Sequence, residues 1–182
     1  SAIVQQADGA VYFSGGFDEG RGRSHNSLYV YDPLQGSMSQ LGDLCVARSS
    51  HGAVVNGKFV YVLGGRGDSP APIKAFERFD AALNAWERLP DCHVPVLRPL
   101  LVTLNDKFIF KLGGIGADEH PCNVIERFDI ARKEWALVEY QIREENQTLK
   151  SVGFALHPMM SGVQISYNSI LVRTNNPDFR WI

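Results

Sequence analysis

The histidines and cysteines are the side chains in this sequence best suited to binding a metal, and their spacing decides whether they could form a site. The five histidines are His25, His51, His93, His120 and His157, and the three cysteines are Cys45, Cys92 and Cys122. No histidine forms a short-spaced pair with another histidine or with a cysteine, which is the usual arrangement of zinc ligands. We therefore expect no metal site, and isolated histidines are more typical of surfaces and strand ends.

Motifs for a catalytic nucleophile or for phosphate binding are absent from the sequence. It contains no Gly-x-Ser-x-Gly nucleophile elbow and no glycine-rich loop ending in Gly-Lys-Ser or Gly-Lys-Thr. The acidic pair Glu144-Glu145 lies in a polar stretch with no partner that would let one carboxyl act as an acid and the other as a base. We therefore expect a non-catalytic protein without a catalytic residue or a cofactor.

The composition excludes several other classes of function. The 182 residues carry 18 Lys plus Arg against 20 Asp plus Glu, and neither sign forms a long block, so a nucleic-acid-binding surface is not expected. No apolar run approaches the roughly 20 residues of a membrane span. The first residues lack a signal-peptide pattern, and three cysteines fit a reducing compartment, so we expect a cytoplasmic protein.

Two short motifs leave an extracellular alternative open. Asn146-Gln147-Thr148 matches the pattern for N-glycosylation, and Arg66-Gly67-Asp68 is a tripeptide found in some cell-adhesion ligands. Motifs of this length arise readily by chance. They therefore keep adhesion as an alternative hypothesis without making it the first one.

A repeat of 49 residues organises the chain. The glycine pairs Gly15-Gly16, Gly64-Gly65 and Gly113-Gly114 recur at that interval, and each follows an apolar stretch. Residues 77–80 and 126–129 both read Glu-Arg-Phe-Asp, and Trp86 returns as Trp135. The first copy carries Met38 where the other two copies carry tryptophan, which predicts a weaker contact or one filled by a flexible thioether.

Each repeat predicts a small antiparallel sheet. In the second copy the turn residues separate four strands, at 51–55, 58–63, 74–80 and 85–89. The second of these strands is apolar at successive positions, which a strand requires only when both faces of its sheet are covered. Repeated four-stranded units that cannot cover their own faces indicate stacked sheets, as in the blades of a β-propeller.

The glycine pair after an apolar strand, the aromatic-Asp pair about 15 residues later and the following tryptophan resemble kelch repeats. The resemblance implies an all-β, kelch-type β-propeller of four-stranded antiparallel blades, and it is good over residues 1 to about 140. We expect one kelch-repeat domain over 1–182, with blades near 1–45, 46–93, 94–142 and 143–182. Three blades are clear and the fourth is degenerate or truncated. Further blades of a longer chain, or another subunit, could complete such a partial propeller; a compact four-bladed ring is the alternative.

Several repeated residues have predicted structural roles. The glycine pairs allow positive φ and the close approach of a neighbouring backbone, and Trp86 and Trp135 pack between adjacent blades. Turn formation is the predicted role of the three equivalent aspartates, Asp32, Asp80 and Asp129. Cys45 and Cys92 occupy nearly equivalent places in successive blades, too far apart for a disulfide, and should be free thiols.

The variable loops at one edge of the repeats are the predicted binding surface. Such loops on a rigid scaffold commonly carry function. The predicted partner-binding residues are Arg21, Arg23, His25, Arg48, Arg66, Asp68, Arg98, Asp118, Glu119 and His120. A cation also recurs near the start of each following blade, as Arg48, Arg98 and Lys150.

The kelch resemblance adds a specific expectation for two of these residues. Kelch proteins of the ubiquitin-ligase adaptor type bind acidic peptides through an arginine-rich loop face, and Arg48 and Arg98 are the nearest matching positions. A structural role for both arginines is an equally weighted alternative. The sequence thus favours a protein-interaction scaffold in a cytoskeletal or ubiquitin-adaptor setting. A kelch-type oxidoreductase or isomerase with a central-channel site, or an adhesion module, is the alternative.

Overall fold

The sheets follow the order of the chain, because each is a meander in which consecutive strands are neighbours. The computed structural model describes residues 1–139 and the strand segments 143–144, 147–148, 160–166 and 169–174. Sheet I contains β1 (Ala2–Gln5), β2 (Val11–Asp18), β3 (Arg23–Asp32) and β4 (Ser37–Gln40). Sheet II contains β5 (Gly52–Asn56), β6 (Phe59–Leu63), β7 (Phe76–Asp80) and β8 (Ala85–Leu89). Sheet III contains β9 (Leu100–Leu104), β10 (Phe108–Leu112), β11 (Glu126–Asp129) and β12 (Glu134–Leu137).

The prediction of an all-β fold with four-stranded antiparallel units is confirmed. All strand pairs within the three sheets are antiparallel, and the described residues contain no helix. The strands of sheet II begin and end within two residues of the bounds predicted from the sequence.

Two hairpins follow sheet III. The first pairs β13 (Arg143–Glu144) with β14 (Gln147–Thr148), and the second pairs β15 (Met160–Ser166) with β16 (Ser169–Thr174). Strand β15 contacts β9, just as the first strands of sheets I and II contact the first strand of the next sheet. Asn146 and Lys150 lie outside the described residues. The single domain over 1–182 stays a prediction.

Apolar side chains fill the spaces between neighbouring sheets, so the sheets stack face to face. Between sheets I and II lie Tyr12, Leu28, Leu44, Val60, Val62 and Phe79. Between sheets II and III lie Tyr61, Leu63, Phe76, Leu89, Cys92, Leu101, Ile109 and Phe128. Strand β6 contributes to both clusters through alternate residues, and its last four side chains are buried. This explains the unbroken apolar run in the sequence of β6, because both faces of sheet II are covered.

The backbones of successive repeats approach each other closely at the glycine pairs. All six glycines have positive φ, from 50° at Gly15 to 136° at Gly16. A β-carbon on Gly64 would lie 2.7 Å from the carbonyl oxygen of Val96, and one on Gly114 would lie 2.6 Å from that of Leu97. Both of these carbonyls belong to the chain segment that enters sheet III. The predicted combination of positive φ and close approach is therefore confirmed.

The three aspartates form equivalent turns between the third and fourth strands. In each turn the Oδ1 atom accepts hydrogen bonds from the backbone N–H groups two and three residues later, at 2.8 to 3.3 Å. These side chains stabilise the turns in the way that short carboxylates commonly do. The turn role predicted for Asp32, Asp80 and Asp129 is confirmed.

The tryptophans connect each sheet to the one before it. The indole Nε1 of Trp86 donates to the carbonyl of Gly42 at 2.7 Å, and that of Trp135 donates to the carbonyl of Pro90 at 2.9 Å. The Trp135 ring also contacts Phe76 of sheet II, with ring centroids 5.1 Å apart. In sheet I the same position holds Met38, which is 58% exposed. The predicted inter-sheet role of the tryptophans is confirmed, whereas the weaker contact predicted at Met38 stays a prediction.

Candidate protein-interaction surface

One edge of the stacked sheets is formed by loops from all three repeats, and we call it the loop edge. It contains the connections between the second and third strands, at 19–22, 64–75 and 113–125, and the linkers between sheets, at 41–51 and 90–99. Isolated β-bridges join each linker to the loop after a glycine pair, between Ser49 and Arg66 and between Leu97 and Ile115. The loops are thereby fixed to the scaffold through their backbones.

Ser24 connects the loops of the first two repeats. Its backbone N–H donates to Asp68 Oδ1 at 3.0 Å, and its hydroxyl donates to the carbonyl of Gly67 at 3.0 Å and lies 3.2 Å from Ser49 Oγ. The Ser24 side chain is buried beneath these contacts. The role of Ser24 could not be predicted from the sequence, because its partners are far away in the chain.

Three predicted arginines have exposed side chains on the loop edge: Arg21, Arg23 and Arg98. Arg21 lies 3.6 Å from Asp18 in a solvent-exposed ion pair, which contributes little to stability. Arg98 adopts φ 52°, and its N–H donates to the carbonyl of Ser50 at 2.7 Å. The backbone of Arg98 is therefore fixed while its guanidinium faces solvent.

The third repeat contributes a predominantly acidic loop to the same edge. Asp118, Glu119 and His120 are all exposed. The Oδ1 atom of Asp118 accepts a hydrogen bond from the His120 N–H at 3.2 Å, and the His120 ring nitrogen Nδ1 lies 2.7 Å from the Asp118 carbonyl. The loop edge therefore carries cations on its first repeat and carboxylates on its third.

The Arg66-Gly67-Asp68 tripeptide is bound into the scaffold. The Arg66 guanidinium lies over the Phe17 ring, 5.4 Å from its centroid, and the Asp68 carboxylate accepts the Ser24 N–H. Both charged groups therefore have partners within the protein. His25 is half-buried, and its carbonyl accepts the backbone N–H of Arg48 at 2.9 Å.

The prediction that Arg48 belongs to the partner-binding surface is wrong. Its side chain is fully buried, with Nη1 donating to the carbonyls of Ala75 at 2.7 Å and Gly64 at 3.2 Å. Nη2 donates to the carboxylate of Glu77, which is also fully buried. Burial lowers the pKa of the Arg48 guanidinium, and the Glu77 carboxylate opposes that shift. The structure therefore supports the alternative that Arg48 has a structural role.

Sheet III contains a counterpart of this buried ion pair, which the sequence analysis missed. Glu126 pairs with Lys111, and both side chains are fully buried. The Lys111 ammonium also donates to the carbonyl of Val94 at 2.6 Å, and Glu126 accepts the His93 N–H at 2.7 Å. Burial alone would raise the pKa of Glu126, but the Lys111 ammonium and these hydrogen bonds hold it below its usual range.

The two glutamates are equivalent, whereas their cations come from different strands. Glu77 accepts the backbone N–H of Cys45 at 2.7 Å, so both glutamates bind the linker that enters their own sheet. The residue opposite Glu126 in the β10–β11 register is Lys111, and the residue opposite Glu77 in the β6–β7 register is Val62. A lysine within the apolar strand Phe-Ile-Phe-Lys-Leu was the sequence signal for such a pair.

Ser14 and His51 form a buried pair with the elements of a nucleophile and a base. Ser14 Oγ lies 2.8 Å from His51 Nε2, and the two residues are 1% and 6% exposed. Within the described part of the chain, His51 Nδ1 has no hydrogen-bond partner, so no third group orients the ring as in a catalytic triad. Burial, followed by the charge of Arg48, lowers the pKa of His51 to about 3. The imidazole is therefore neutral at pH 7.

This buried histidine predicts a measurable pH dependence of stability. Because the folded-state pKa is depressed, the unfolded chain binds the proton more readily below pH 6.5, and protonation favours unfolding. The free energy of unfolding should fall by about 2 kcal/mol between pH 7 and pH 5. Urea denaturation at a series of pH values tests this, and His51→Gln should remove most of the slope. Equal slopes for the two proteins would contradict a neutral His51 in the fold.

The cysteines and the possible metal ligands are the remaining candidates from the sequence. Cys45, Cys92 and Cys122 are free, which confirms the prediction for the first two, and burial raises the pKa of Cys92 to about 11. Among the described residues, no group of three or more His, Cys, Asp or Glu side chains could hold a metal ion. In the same part of the chain, no helix is long and apolar enough to span a membrane.

Comparison with known proteins identifies the repeat. The Kelch motif family matches residues 47–93, which contain sheet II. The chain is 33% identical over 94 residues to Kelch-like protein 38 of Homo sapiens and 32% identical over 80 residues to Kelch-like protein 15 of Homo sapiens. It is 29% identical over 82 residues to Alpha-scruin of Limulus polyphemus.

These alignments cover half or less of this chain, and a smaller part of each relative. They span 50%, 42% and 42% of the chain, and 16%, 13% and 9% of the respective relatives. The region matched by the Kelch motif contains the Gly64-Gly65 pair, sheet II and the inter-sheet tryptophan Trp86. The family match over residues 47–93, the repeat pattern and the three stacked sheets show that the chain contains kelch repeats.

Proposed function

We propose that this chain is a non-catalytic protein-interaction scaffold that binds partner proteins through its loop edge. The observation that carries the proposal is the contrast between frame and loops. The buried glutamates, glycine pairs and turn aspartates keep equivalent positions in successive sheets, whereas the loops after the glycine pairs differ in charge from one repeat to the next. Exposed, chemically varied loops on a rigid frame suit specific recognition.

The fixed backbone of the loop edge supports the same proposal. Ser24 connects the first two loops, and the Arg98 backbone is bound to the preceding linker. Loops that are already ordered lose less conformational entropy when they bind. Arg21, Arg23 and Arg98 present guanidinium groups to solvent, and guanidinium pairs well with carboxylates in two parallel hydrogen bonds. Acidic segments of a partner protein are therefore the proposed ligands of the first repeat.

The similarity to Kelch-like proteins and scruins supports an interaction role in general terms. A cytoplasmic location, with a cytoskeletal or ubiquitin-adaptor setting, is part of the proposal. Completion of the propeller by further blades or by another subunit is part of it too. The proposal includes neither a nucleic-acid ligand nor insertion into a membrane.

Charge reversal at the loop edge tests the proposed surface. A partner is captured from cells by affinity purification, and its binding to the purified chain is measured by calorimetry. The double variant Arg21→Glu/Arg23→Glu should weaken binding by about a hundredfold, because like charges would then meet across the contact. Arg98→Glu should weaken it as well. Arg48 is left unchanged in this experiment because it is buried.

The matched control carries the same change in charge at the opposite edge of the sheets. Lys107 and Arg132 are exposed, in a hairpin turn and in a turn between the third and fourth strands of sheet III. Lys107→Glu/Arg132→Glu should leave partner binding unchanged. If both double variants weaken binding equally, the effect follows from net charge and the loop edge is not the binding surface.

A further inference from the structure

Isolated β-bridges close the loops that follow the second and third glycine pairs. One bridge joins Arg66 to Pro72, and the other joins Ile115 to Pro121. Each bridge encloses a short projecting segment, and we call these segments the loop tips. They are residues 67–71 in the second repeat and residues 116–120 in the third. Because the two bridges lie 49 residues apart, every residue of one tip has an equivalent in the other.

Ser69 and Asp118 are equivalent residues of the two tips, and their side chains form the same local hydrogen bond. Ser69 Oγ accepts the backbone N–H of Ala71 at 3.3 Å, and Asp118 Oδ1 accepts that of His120 at 3.2 Å. Both residues are exposed. The third repeat therefore carries a permanent negative charge at the position where the second repeat carries a hydroxyl, and phosphorylation would give the hydroxyl a negative charge too.

A proline follows Ser69 directly, and this combination occurs once in the sequence. Of the nine prolines, only Pro70 comes after a serine or a threonine. Serine followed by proline is the minimal sequence accepted by proline-directed protein kinases, which recognise a residue whose nitrogen carries no hydrogen. Ser69 and Pro70 are both exposed. Arg66, three residues before Ser69, lies over the Phe17 ring, so its guanidinium is not free for a kinase that requires arginine there.

We propose that Ser69 is a phosphorylation site for a proline-directed protein kinase, and that its phosphate blocks the binding of acidic partner segments to the first repeat. In the transfer, Ser69 Oγ forms a bond to the γ-phosphorus of ATP while the bond from that phosphorus to the bridging oxygen breaks. ADP leaves, and the hydroxyl proton passes to the catalytic base of the kinase. The blocking effect rests on the proposed function, whereas the modification does not.

The phosphate would form within reach of Arg23. Asp68 precedes Ser69 and accepts the backbone N–H of Ser24 at 3.0 Å, and Arg23 is the residue before Ser24. Standard backbone lengths then place the Cα atoms of Ser69 and Arg23 within about 13 Å of each other. An arginine and a phosphoserine together span this distance, and their groups pair in strong hydrogen bonds. A phosphate with roughly two negative charges therefore competes with partner carboxylates for Arg23 and repels them.

A kinase reaction on the full-length polypeptide that contains these residues tests the modification. The folded protein is incubated with ATP and a proline-directed kinase, and the site is located by mass spectrometry of fragments. We expect phosphate on Ser69, none at this position in Ser69→Ala, and a rate at least about tenfold lower in Pro70→Ala. No phosphate on Ser69, or an unchanged rate in Pro70→Ala, would overturn the assignment to this kinase class.

Phosphorus NMR tests the contact with Arg23 and needs no partner protein. The resonance of interest is the one absent from Ser69→Ala. Because a nearby cation favours the dianion, Arg23→Gln should raise the titration midpoint of this phosphate by about half a pH unit. The matched control is Arg132→Gln, at the opposite edge, which should leave the midpoint unchanged. Equal midpoints in the wild type and Arg23→Gln would mean that the phosphate does not reach Arg23, and would overturn the blocking mechanism.

Partner affinity tests the blocking effect itself. Calorimetry with the captured partner compares the polypeptide before and after complete phosphorylation of Ser69, which should weaken binding by about tenfold or more. Ser69→Ala taken through the same kinase reaction should keep its affinity. Equal affinities of the two forms of the wild type would overturn the blocking effect. The kinase reaction and the titration are independent of the partner, so their failure is distinct from failure of the proposed loop-edge binding.

Discussion

Arg48→Leu should lower the free energy of unfolding by about 3 to 5 kcal/mol, because it leaves the carboxylate of Glu77 buried without its cation. Arg48 also donates to the carbonyls of Gly64 and Ala75, which would lose a buried donor in the variant. The measurement is equilibrium denaturation in urea at pH 7. A loss below about 1 kcal/mol, typical of a surface ion pair, would contradict the buried placement of Arg48.

The chain itself suggests a matched rescue of this variant. Sheet III has the apolar Val96 at the position equivalent to Arg48 and places its cation at Lys111, directly opposite the glutamate. The corresponding transfer in sheet II is the double variant Arg48→Leu/Val62→Lys, because Val62 lies opposite Glu77. We expect it to recover about half or more of the lost stability, since it restores a buried cation beside Glu77. Val62→Lys alone should be destabilising, and a double variant no better than Arg48→Leu would contradict the equivalence of the two sheets.

Gly65→Ala should be the most damaging exchange of a glycine in sheet II, with a loss of about 3 kcal/mol or more. Gly65 has φ 80°, and a β-carbon there would lie 2.9 Å from the backbone nitrogen of His51 and closer still to the carbonyl oxygen of Ser49. The Ser49 carbonyl is held in place because it accepts the backbone N–H of Arg66 at 2.9 Å. The same urea denaturation measures the loss.

Gly57→Ala is the control that separates the cost of a left-handed backbone from the cost of a steric clash. Gly57 has φ 58°, also in the left-handed region, but a β-carbon there would meet nothing within 4 Å. This exchange should therefore cost only about 1 kcal/mol, the usual penalty of left-handed backbone for a residue with a β-carbon. If Gly57→Ala and Gly65→Ala lowered the free energy of unfolding equally, this would contradict the close approach of the linker to the glycine pair.

The frame of this protein could be predicted from the sequence because its determinants are local and repeated. A hairpin meander is specified by turn residues and by apolar strands close together in the chain, and three copies of one pattern reinforce each other. The turn role of Asp80 and the positive φ of Gly64 follow from residue type and spacing alone. The tryptophan positions were equally accessible, although their carbonyl partners were not.

The candidate site was predicted less well, because the direction of a side chain depends on contacts distant in sequence. Arg48 and Arg98 look alike in the sequence, yet Arg48 turns inward to Glu77, which is 29 residues away, and Arg98 faces solvent. The backbone gives the reason: Arg98 and Ser50 both adopt positive φ before the first strand of their sheets, so Arg98 corresponds to Ser50 and not to Arg48. A spacing of 50 residues where the repeat is 49 was the available signal.

Site-specific photo-crosslinking of a bound partner shows whether binding occurs through the loop edge. A photoreactive phenylalanine analogue is introduced at Glu19 or at Glu119 on the loop edge, and at Leu34 on the opposite edge. All three positions are exposed, so the analogue should not disturb the fold. We expect crosslinks to the partner from Glu19 or Glu119 and none from Leu34. Crosslinking from Leu34 alone would show that the partner does not bind at the loop edge.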